Sequence, residues 1–142
     1  MAPSGPKGEE TMAHPNEDLV RRGYAAFQSG DMDTLRGLFA DDIVWHAPGR
    51  NQLSGDFKGI DAVLGTFAKT FELTQGSFAL ELHDVIANDE HAVALVRINA
   101  KRGDASLEDN SVQVFEISDG KVTEQWLYPG DLYAADAFWG QA

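Results

Sequence analysis

The chain has 142 residues, no cysteine and a net charge of −12, from 11 basic and 23 acidic side chains. The lack of cysteine excludes disulfides, thiolate zinc sites and cysteine nucleophiles. The acidic balance argues against binding to nucleic acid or anionic lipid, because both rely on clustered lysine and arginine. The hydrophobic fraction of 43% is typical of a globular protein, and no apolar run approaches the ~20 residues that cross a bilayer. We therefore expect a soluble, cytoplasmic protein.

The N-terminal segment has little to bury. Residues 1–15 hold three prolines and two glycines, lack the apolar core of a secretory signal, and are interpreted as a flexible leader. Residues 16–142 are then a single folded domain. A first helix is predicted to begin with Asn16 as its N-cap. After a Ser-Gly break, a second, short helix is predicted to begin with Asp31 as its cap.

A strand and a third helix follow. Residues 43–46 are predicted to form the strand, where an apolar run ends in a histidine just before Pro-Gly. A polar loop is predicted over residues 48–58. The third helix is the clearest element, because five apolar residues recur at helical spacing and form one stripe. These residues are Ile60, Val63, Leu64, Phe67 and Phe71.

The apolar periodicity changes from helical to two after residue 76. Alternation and turn residues predict four strands, near residues 78–83, 92–100, 107–117 and 122–128. A last helical turn is predicted after Pro-Gly, with Asp131 as its cap. Three helices followed by a four-strand antiparallel meander are typical of an α+β fold. One apolar face per strand favours a sheet that curls around the helices in a cone and leaves a gap between the layers.

Several short motifs, each weak alone, occur in an order that resembles a known superfamily. They are QSGD at 28–31, FADDIVW at 39–45, LSG at 53–55, KG at 58–59, DGKV at 119–122 and EQW at 124–126. Together they span roughly residues 17–139 and are similar to the nuclear-transport-factor-2-like superfamily. Within it the chain most resembles the SnoaL-like branch, named for a polyketide cyclase and akin to ketosteroid isomerases.

The resemblance implies a cone-like half-barrel, with three N-terminal helices packed on a curved, mostly antiparallel sheet around a deep apolar pocket. It also implies a homodimer formed through the sheet. The superfamily includes isomerases, cyclases, dehydratases, epoxide hydrolases and plain binding proteins. The fold therefore does not select a reaction.

The resemblance does not extend to the catalytic groups of ketosteroid isomerase. That enzyme uses a carboxylate base and an oxyanion hole made of a tyrosine and a protonated acid. Here the base position falls at Ala47, the tyrosine position at Gly23 and the second acid near Val112. Tyr24 is one residue away, and a one-residue offset turns a helical side chain by ~100°. We therefore predict that the chain is not a ketosteroid isomerase.

His46 and Asp131 are the candidate catalytic residues. In SnoaL-type cyclases an aspartate after the last strand acts as acid or base, and the resemblance assigns this role to Asp131. Histidine titrates near neutrality, and the family fold would bring both strand ends to one cavity, where His46 and Asp131 would relay a proton beside a carbonyl. The alternatives are that Asp131 only caps the last helix and that His46 only bonds its own loop.

The candidate ligand-binding residues are aromatic or charged side chains on the predicted helices and strands. Aromatic walls would select a flat, apolar ligand with a few oxygens, although such residues also serve as plain core. His83 and Arg97 face either the pocket or the outer sheet surface. Arg97 would join Asp109 in an epoxide-hydrolase-type set or form an outer salt bridge. The full set is Tyr24, Trp45, Phe67, Phe71, His83, Arg97, Trp126 and Tyr128.

No metal site or cofactor is predicted. His46, His83 and Asp131 lack the short-spaced pair of a metal site, and the motifs of serine hydrolases, P-loop proteins and Rossmann folds are missing from the sequence. The leading hypothesis is a SnoaL-like pocket protein with acid–base isomerase, cyclase or lyase chemistry on a small apolar carbonyl compound. The alternative is a non-catalytic small-ligand-binding or dimerisation module. The sequence does not decide whether the chain is an enzyme.

Overall fold

The computed structural model describes residues 13–140, which form four helices and six strands. Residues 1–12 of the predicted leader lie outside this range. The α+β class, with three N-terminal helices on a mostly antiparallel sheet, is confirmed. None of the helices between residues 13 and 140 has the length and apolar character needed to span a membrane. The elements are α1 (Pro15–Ser29), α2 (Met32–Leu38), β1 (Phe39–Ala47), β2 (Gly55–Lys58), α3 (Ile60–Leu73), β3 (Ala79–Ala87), β4 (His91–Arg102), β5 (Ala105–Ser118), β6 (Lys121–Tyr128) and α4 (Leu132–Trp139).

The six strands form one sheet in the order β2-β1-β6-β5-β4-β3. Strands β3 to β6 are the predicted antiparallel meander. Strand β1 extends it by pairing parallel with β6, with His46 opposite Trp126, and antiparallel with β2. Strand β2 lies within the segment predicted to be a loop. Its four residues are exposed except for half-buried Phe57, so the strand has too little apolar alternation to be recognised in the sequence.

Helix α1 begins differently from the prediction. Pro15 occupies the first helical position, where the N–H that proline lacks would have no partner. The side chain of His14 caps the helix by accepting from the backbone N–H of Asn16. Asn16, the predicted cap, is buried and donates to the backbone carbonyls of Asn88 and Asp89 in the β3–β4 turn. Its amide therefore fastens α1 to the sheet.

The apolar core lies between the helices and the inner face of the sheet. The stripe of α3 is confirmed for Val63, Leu64 and Phe67, which are buried. Helix α1 contributes Leu19 and Val20 from the facing side. Burying a large apolar side chain stabilises a fold by about 1.5–3 kcal/mol, so this packing fixes the helices over the sheet.

Polar contacts hold helix α4 against the rest of the molecule. The carboxylate of Asp136 accepts from the backbone N–H of Arg50 and from Nδ2 of Asn51. At the end of the helix, Nη1 of Arg102 donates to the backbone carbonyl of Trp139 at 2.9 Å. Helix α4 is thus tied both to the loop after β1 and to the end of β4.

Candidate functional site

A cavity of about 140 Å³ lies between the helices and the inner face of the sheet. This is close to the size of the engineered cavity of about 150 Å³ that accommodates benzene. Its walls are mostly apolar and come from α1, α3, α4 and the sheet. Representative wall residues are Leu19, Phe39, Phe67, Leu107, Leu127 and Trp139.

Polar groups enter the cavity wall along strand β5. Asp109, Ser111 and Gln113 alternate on this strand, are buried and line the cavity, because every second residue of a strand shares one face. These three residues were not predicted from the sequence as a set. The signal was present, since Leu107 and Phe115 frame the row and polar residues interrupt an otherwise apolar inward face.

Asp109 is 8% exposed and is held through one carboxylate oxygen. Its Oδ2 accepts from Oγ of Ser111 at 3.1 Å and from the backbone N–H of Gly130 at 3.0 Å. Its Oδ1 makes no hydrogen bond with a residue between 13 and 140. This oxygen atom is not fully buried, because it retains some accessible surface. This oxygen is therefore available to a molecule in the cavity.

Tyr24 and Gln113 form a second polar point in the wall. The hydroxyl of Tyr24 donates to Oε1 of Gln113. Burial raises the pKa of the Tyr24 hydroxyl, so this group stays protonated at neutral pH. Nε2 of Gln113 makes no hydrogen bond within residues 13–140 and is not fully buried. An amide N–H of this kind suits a carbonyl or hydroxyl oxygen.

The predicted aromatic residues divide between cavity and core. Tyr24, Trp45 and Phe67 line the cavity. Phe71 does not line it and packs against Phe27 with ring centroids 4.9 Å apart. Phe71 therefore belongs to the core in this structure.

His46 lies on the outer face of β1, because it alternates with Trp45, which lines the cavity. Its Nδ1 is 2.7 Å from Asp56 and its Nε2 is 2.6 Å from Glu124. The ring also stacks on Trp126 with centroids 5.2 Å apart. Both ring nitrogens donate only in the imidazolium form. The hydrogen bonds to Glu124 and to Asp56 raise the pKa of His46.

Asp131 caps α4 and does not line the cavity. Its Oδ1 accepts from the backbone N–H of Ala134 at 3.0 Å, and the residue is exposed. His46 does not line the cavity either. The structure thus does not bring His46 and Asp131 together there, because the pairing of β1 with β6 turns His46 outward.

Three further predicted ligand-binding residues are also outside the cavity. Trp126 lies on the outer face beside His46, and Tyr128 is 55% exposed. His83 is exposed and falls at the irregularity in the pairing of β3 with β4, between Leu82 and Asp84. The sequence pattern allowed His83 to lie on either face of the sheet. Because the strand pairing is irregular at His83, simple alternation does not fix its face.

Arg97 also lies on the outer face. It donates to Oδ1 of Asn110 at 3.1 Å and to Oε1 of Glu108 at 3.0 Å on the neighbouring strand. Asp109 faces inward, so the arginine–aspartate pair of an epoxide-hydrolase-type set does not form. Within residues 13–140, no three His, Cys, Asp or Glu side chains cluster in a way that would hold a metal ion.

Comparison with known proteins agrees with this architecture. A family model of the SnoaL-like domain matches residues 20–125. An uncharacterised protein of Mycobacterium tuberculosis is 32% identical over 123 residues, which cover 86% of this chain and 94% of that protein. Bal32a, from a soil-derived mobile gene cassette, is 40% identical with a TM-score of 0.86, over 89% of this chain and 97% of Bal32a.

A more distant structure supports the fold alone. A candidate SnoaL-like polyketide cyclase from Jannaschia sp. CCS1 is 16% identical with a TM-score of 0.73, over 96% of this chain and 99% of that chain. The solved neighbours include a nuclear-transport-factor-2-like protein of Burkholderia xenovorans. These structures confirm the expected cone-like fold, and the family model confirms the resemblance to the SnoaL-like branch.

Proposed function

The chain belongs to the SnoaL-like domain family, and from that premise we propose that it binds a small apolar carbonyl compound and transfers protons beside the carbonyl. The observation that carries this proposal is Oδ1 of Asp109, which lies in the wall of an apolar cavity and has no hydrogen-bond partner between residues 13 and 140. Burying a carboxylate among apolar groups costs free energy. Departures of this kind from the rules of core packing are expected at functional sites.

Asp109 is the proposed proton-transfer group. Ser111 and the backbone of Gly130 hold Oδ2, so Oδ1 is left to accept a proton from the carbon next to the carbonyl. The proton then returns to the same or another atom of the product. Isomerisation, cyclisation and elimination all begin with this removal of a proton next to the carbonyl. In this proposal Asp109 takes the role that was predicted from the sequence for His46 and Asp131.

The pair of Tyr24 and Gln113 is the proposed anchor for a second oxygen. Gln113 follows Asp109 by four residues on the same strand, which places their Cα atoms about 13 Å apart. A molecule that contacts both residues must therefore extend along β5. We expect it to be a flat, apolar compound with oxygen atoms at two separated positions, one held by Nε2 of Gln113.

Hydrogen–deuterium exchange on a simple ketone tests the proton transfer. In D₂O with 1-indanone, the wild type is expected to speed the exchange of the protons next to the carbonyl, as followed by NMR. Asp109→Asn should slow this exchange by about 10²-fold or more, the usual contribution of a positioned acid or base. Asp104→Asn changes an exposed aspartate in the β4–β5 turn and is the matched control.

The same experiment separates the enzyme from the binding module. If 1-indanone raises the melting temperature but exchanges no faster than in buffer, the chain is a non-catalytic binding protein. If the exchange is enzymatic and equal in the wild type and Asp109→Asn, the assignment of Asp109 fails. Native mass spectrometry of protein purified from its own host would then identify the class of the natural ligand.

A homodimer through the outer sheet face is the second part of the proposal. Six apolar residues on three neighbouring strands form a contiguous block, in which Leu95, Val112 and Tyr128 make one row and Val93, Val114 and Trp126 the next. Tyr128 is exposed and the other five are half-buried, and a contiguous apolar patch that remains partly open to solvent favours an interaction site. A second copy of the chain would cover it, as expected for a two-fold symmetric contact.

A further inference from the structure

Gln125 is an anomaly in the interior of this protein. It is 0% exposed, and neither Oε1 nor Nε2 has a hydrogen-bond partner among residues 13–140. Within that range no other fully buried side-chain polar atom is unpaired. An unpaired buried amide destabilises a fold, whereas an apolar side chain of similar size would avoid the loss. The amide therefore calls for an explanation other than packing.

The position of Gln125 relates it to the cavity. Its Cα partners on the neighbouring strands are Trp45 on β1 and Phe115 on β5. Both of these side chains line the cavity, and their ring centroids are 6.4 Å apart. Leu127, the next residue of β6 on the same face, lines it as well. The amide of Gln125 thus lies directly behind the wall that Trp45 and Phe115 form.

The polar side chains nearest along the sheet make no hydrogen bond with the Gln125 amide. Oε1 of Gln113 already accepts from Tyr24. Glu124, the residue before Gln125, turns to the outer face and bonds His46. Satisfying the Gln125 amide therefore requires a group that comes from the cavity side.

We propose that Gln125 is a recognition residue for the molecule bound in the cavity. The inference rests on the proposed binding function and specifies the chemical class of the ligand. An amide side chain offers two N–H donors and one acceptor oxygen. Its complement is a group with an acceptor and a donor side by side, such as a primary amide, a neutral carboxylic acid or an enolised dicarbonyl. A carboxylate lacks the donor and would place an unpaired charge in the core.

Trp45 is the side chain that admits this group. It is half-buried, whereas Phe115 is 4% exposed. The indole N–H of Trp45 makes no hydrogen bond within residues 13–140, so a change of its rotamer breaks none. In the proposed binding mode the indole turns away from Phe67, whose ring centroid lies 4.8 Å from that of Trp45, and the wall between the cavity and the amide of Gln125 opens.

The test compares two probes of the same shape. Benzamide carries the required donor and acceptor, and α-methylstyrene replaces both with carbon. The dissociation constants are measured by titration for the wild type and for Gln125→Leu. We expect the variant to bind benzamide about tenfold more weakly, the effect of one lost buried hydrogen bond, and to bind α-methylstyrene as the wild type does. Thr123→Val removes a hydroxyl from the same strand and is the matched control.

The outcomes separate this inference from the function on which it rests. If benzamide binds and Gln125→Leu does not weaken it, Gln125 is not a recognition residue and the cavity function stands. If neither probe binds the wild type, the binding function fails and the inference fails with it. If Gln125→Leu does not fold, NMR of the wild type provides the test. Saturating benzamide is expected to shift the assigned side-chain NH₂ signals of Gln125. Unchanged signals would overturn the inference.

Discussion

Trp45 and His46 are neighbours in the chain and lie on opposite faces of the sheet. Trp45 lines the inner cavity, and His46 stacks on Trp126 outside. His46 also joins three strands, because it bonds Asp56 on β2 and Glu124 on β6. The imidazole therefore ties the edge of the sheet together, while α1 and β5 contribute polar groups to the cavity wall on the other face.

The raised pKa of His46 predicts a pH-dependent contribution to stability. Glu124 and Asp56 favour the imidazolium and raise its pKa in the folded state above the ordinary value of 6.5. The stabilisation of the folded state by protonated His46 is fully present below pH 6.5 and is lost as the pH rises through the raised pKa. His46→Gln should remove this part of the pH dependence in urea unfolding between pH 6 and pH 9. His91→Gln, at an exposed histidine, should retain it, and an unchanged profile in His46→Gln would contradict the prediction.

Gly130 is expected to tolerate no side chain. A methyl group there would lie 2.4 Å from the backbone oxygen of Asn110 and 2.7 Å from Oδ1 of Asp109. Gly130→Ala should lower the free energy of unfolding by about 1–3 kcal/mol, as overpacking usually does, and should slow exchange on 1-indanone. Gly37→Ala is the control, since a Cβ there meets nothing within 4 Å. A variant at Gly130 as stable as the wild type would refute the close approach.

Tyr24→Phe tests the anchor. Removing the hydroxyl leaves Oε1 of Gln113 without its donor, which should cost about 1–3 kcal/mol of unfolding free energy. If the two residues act as a unit, the double variant with Gln113→Leu should be less destabilised than the sum of the single variants by 0.5 kcal/mol or more, on the order of typical coupling between contacting residues. Denaturant unfolding of the four proteins measures this, and strict additivity would argue against a working pair.

The apolar block on the outer face predicts the oligomeric state. Val114 lies between Val93 and Trp126 in the sheet, so Val114→Glu places a charge at the centre of the proposed interface. Analytical ultracentrifugation should show a dimer for the wild type and a monomer for this variant, because an unpaired buried charge is strongly unfavourable. Ser106→Glu lies at the exposed far end of β5 and should remain dimeric. A monomeric wild type would exclude the interface.

Local periodicity was sufficient to predict most of the fold. The stripe of α3 and the meander of β3 to β6 are repeated patterns of 3.6 and 2 residues, which reflect burial directly. Strand β2 was not predicted, because its four mostly exposed residues carry almost no such pattern. The parallel pairing of β1 with β6 joins distant parts of the chain, and no local signal marks it.

The candidate site was harder to predict for a related reason. Alternation shows that Trp45 and His46 point to opposite faces, but not which face is the inner one. That choice depends on the partner strand, and it decided the position of His46. The inward set of Asp109, Ser111 and Gln113 was readable in principle, since its polar residues occupy the same phase as buried Leu107 and Phe115.

The parallel joint between β1 and β6 has a consequence for how the molecule folds. Val44 pairs with Glu124 across more than half of the chain, whereas the meander is built from consecutive strands. Closing so long a loop costs more entropy than forming a hairpin, so we expect the joint to close late, after the meander. The cavity wall that contains Trp45 is complete only after this step. A ligand that binds there should therefore slow unfolding and leave the folding rate unchanged.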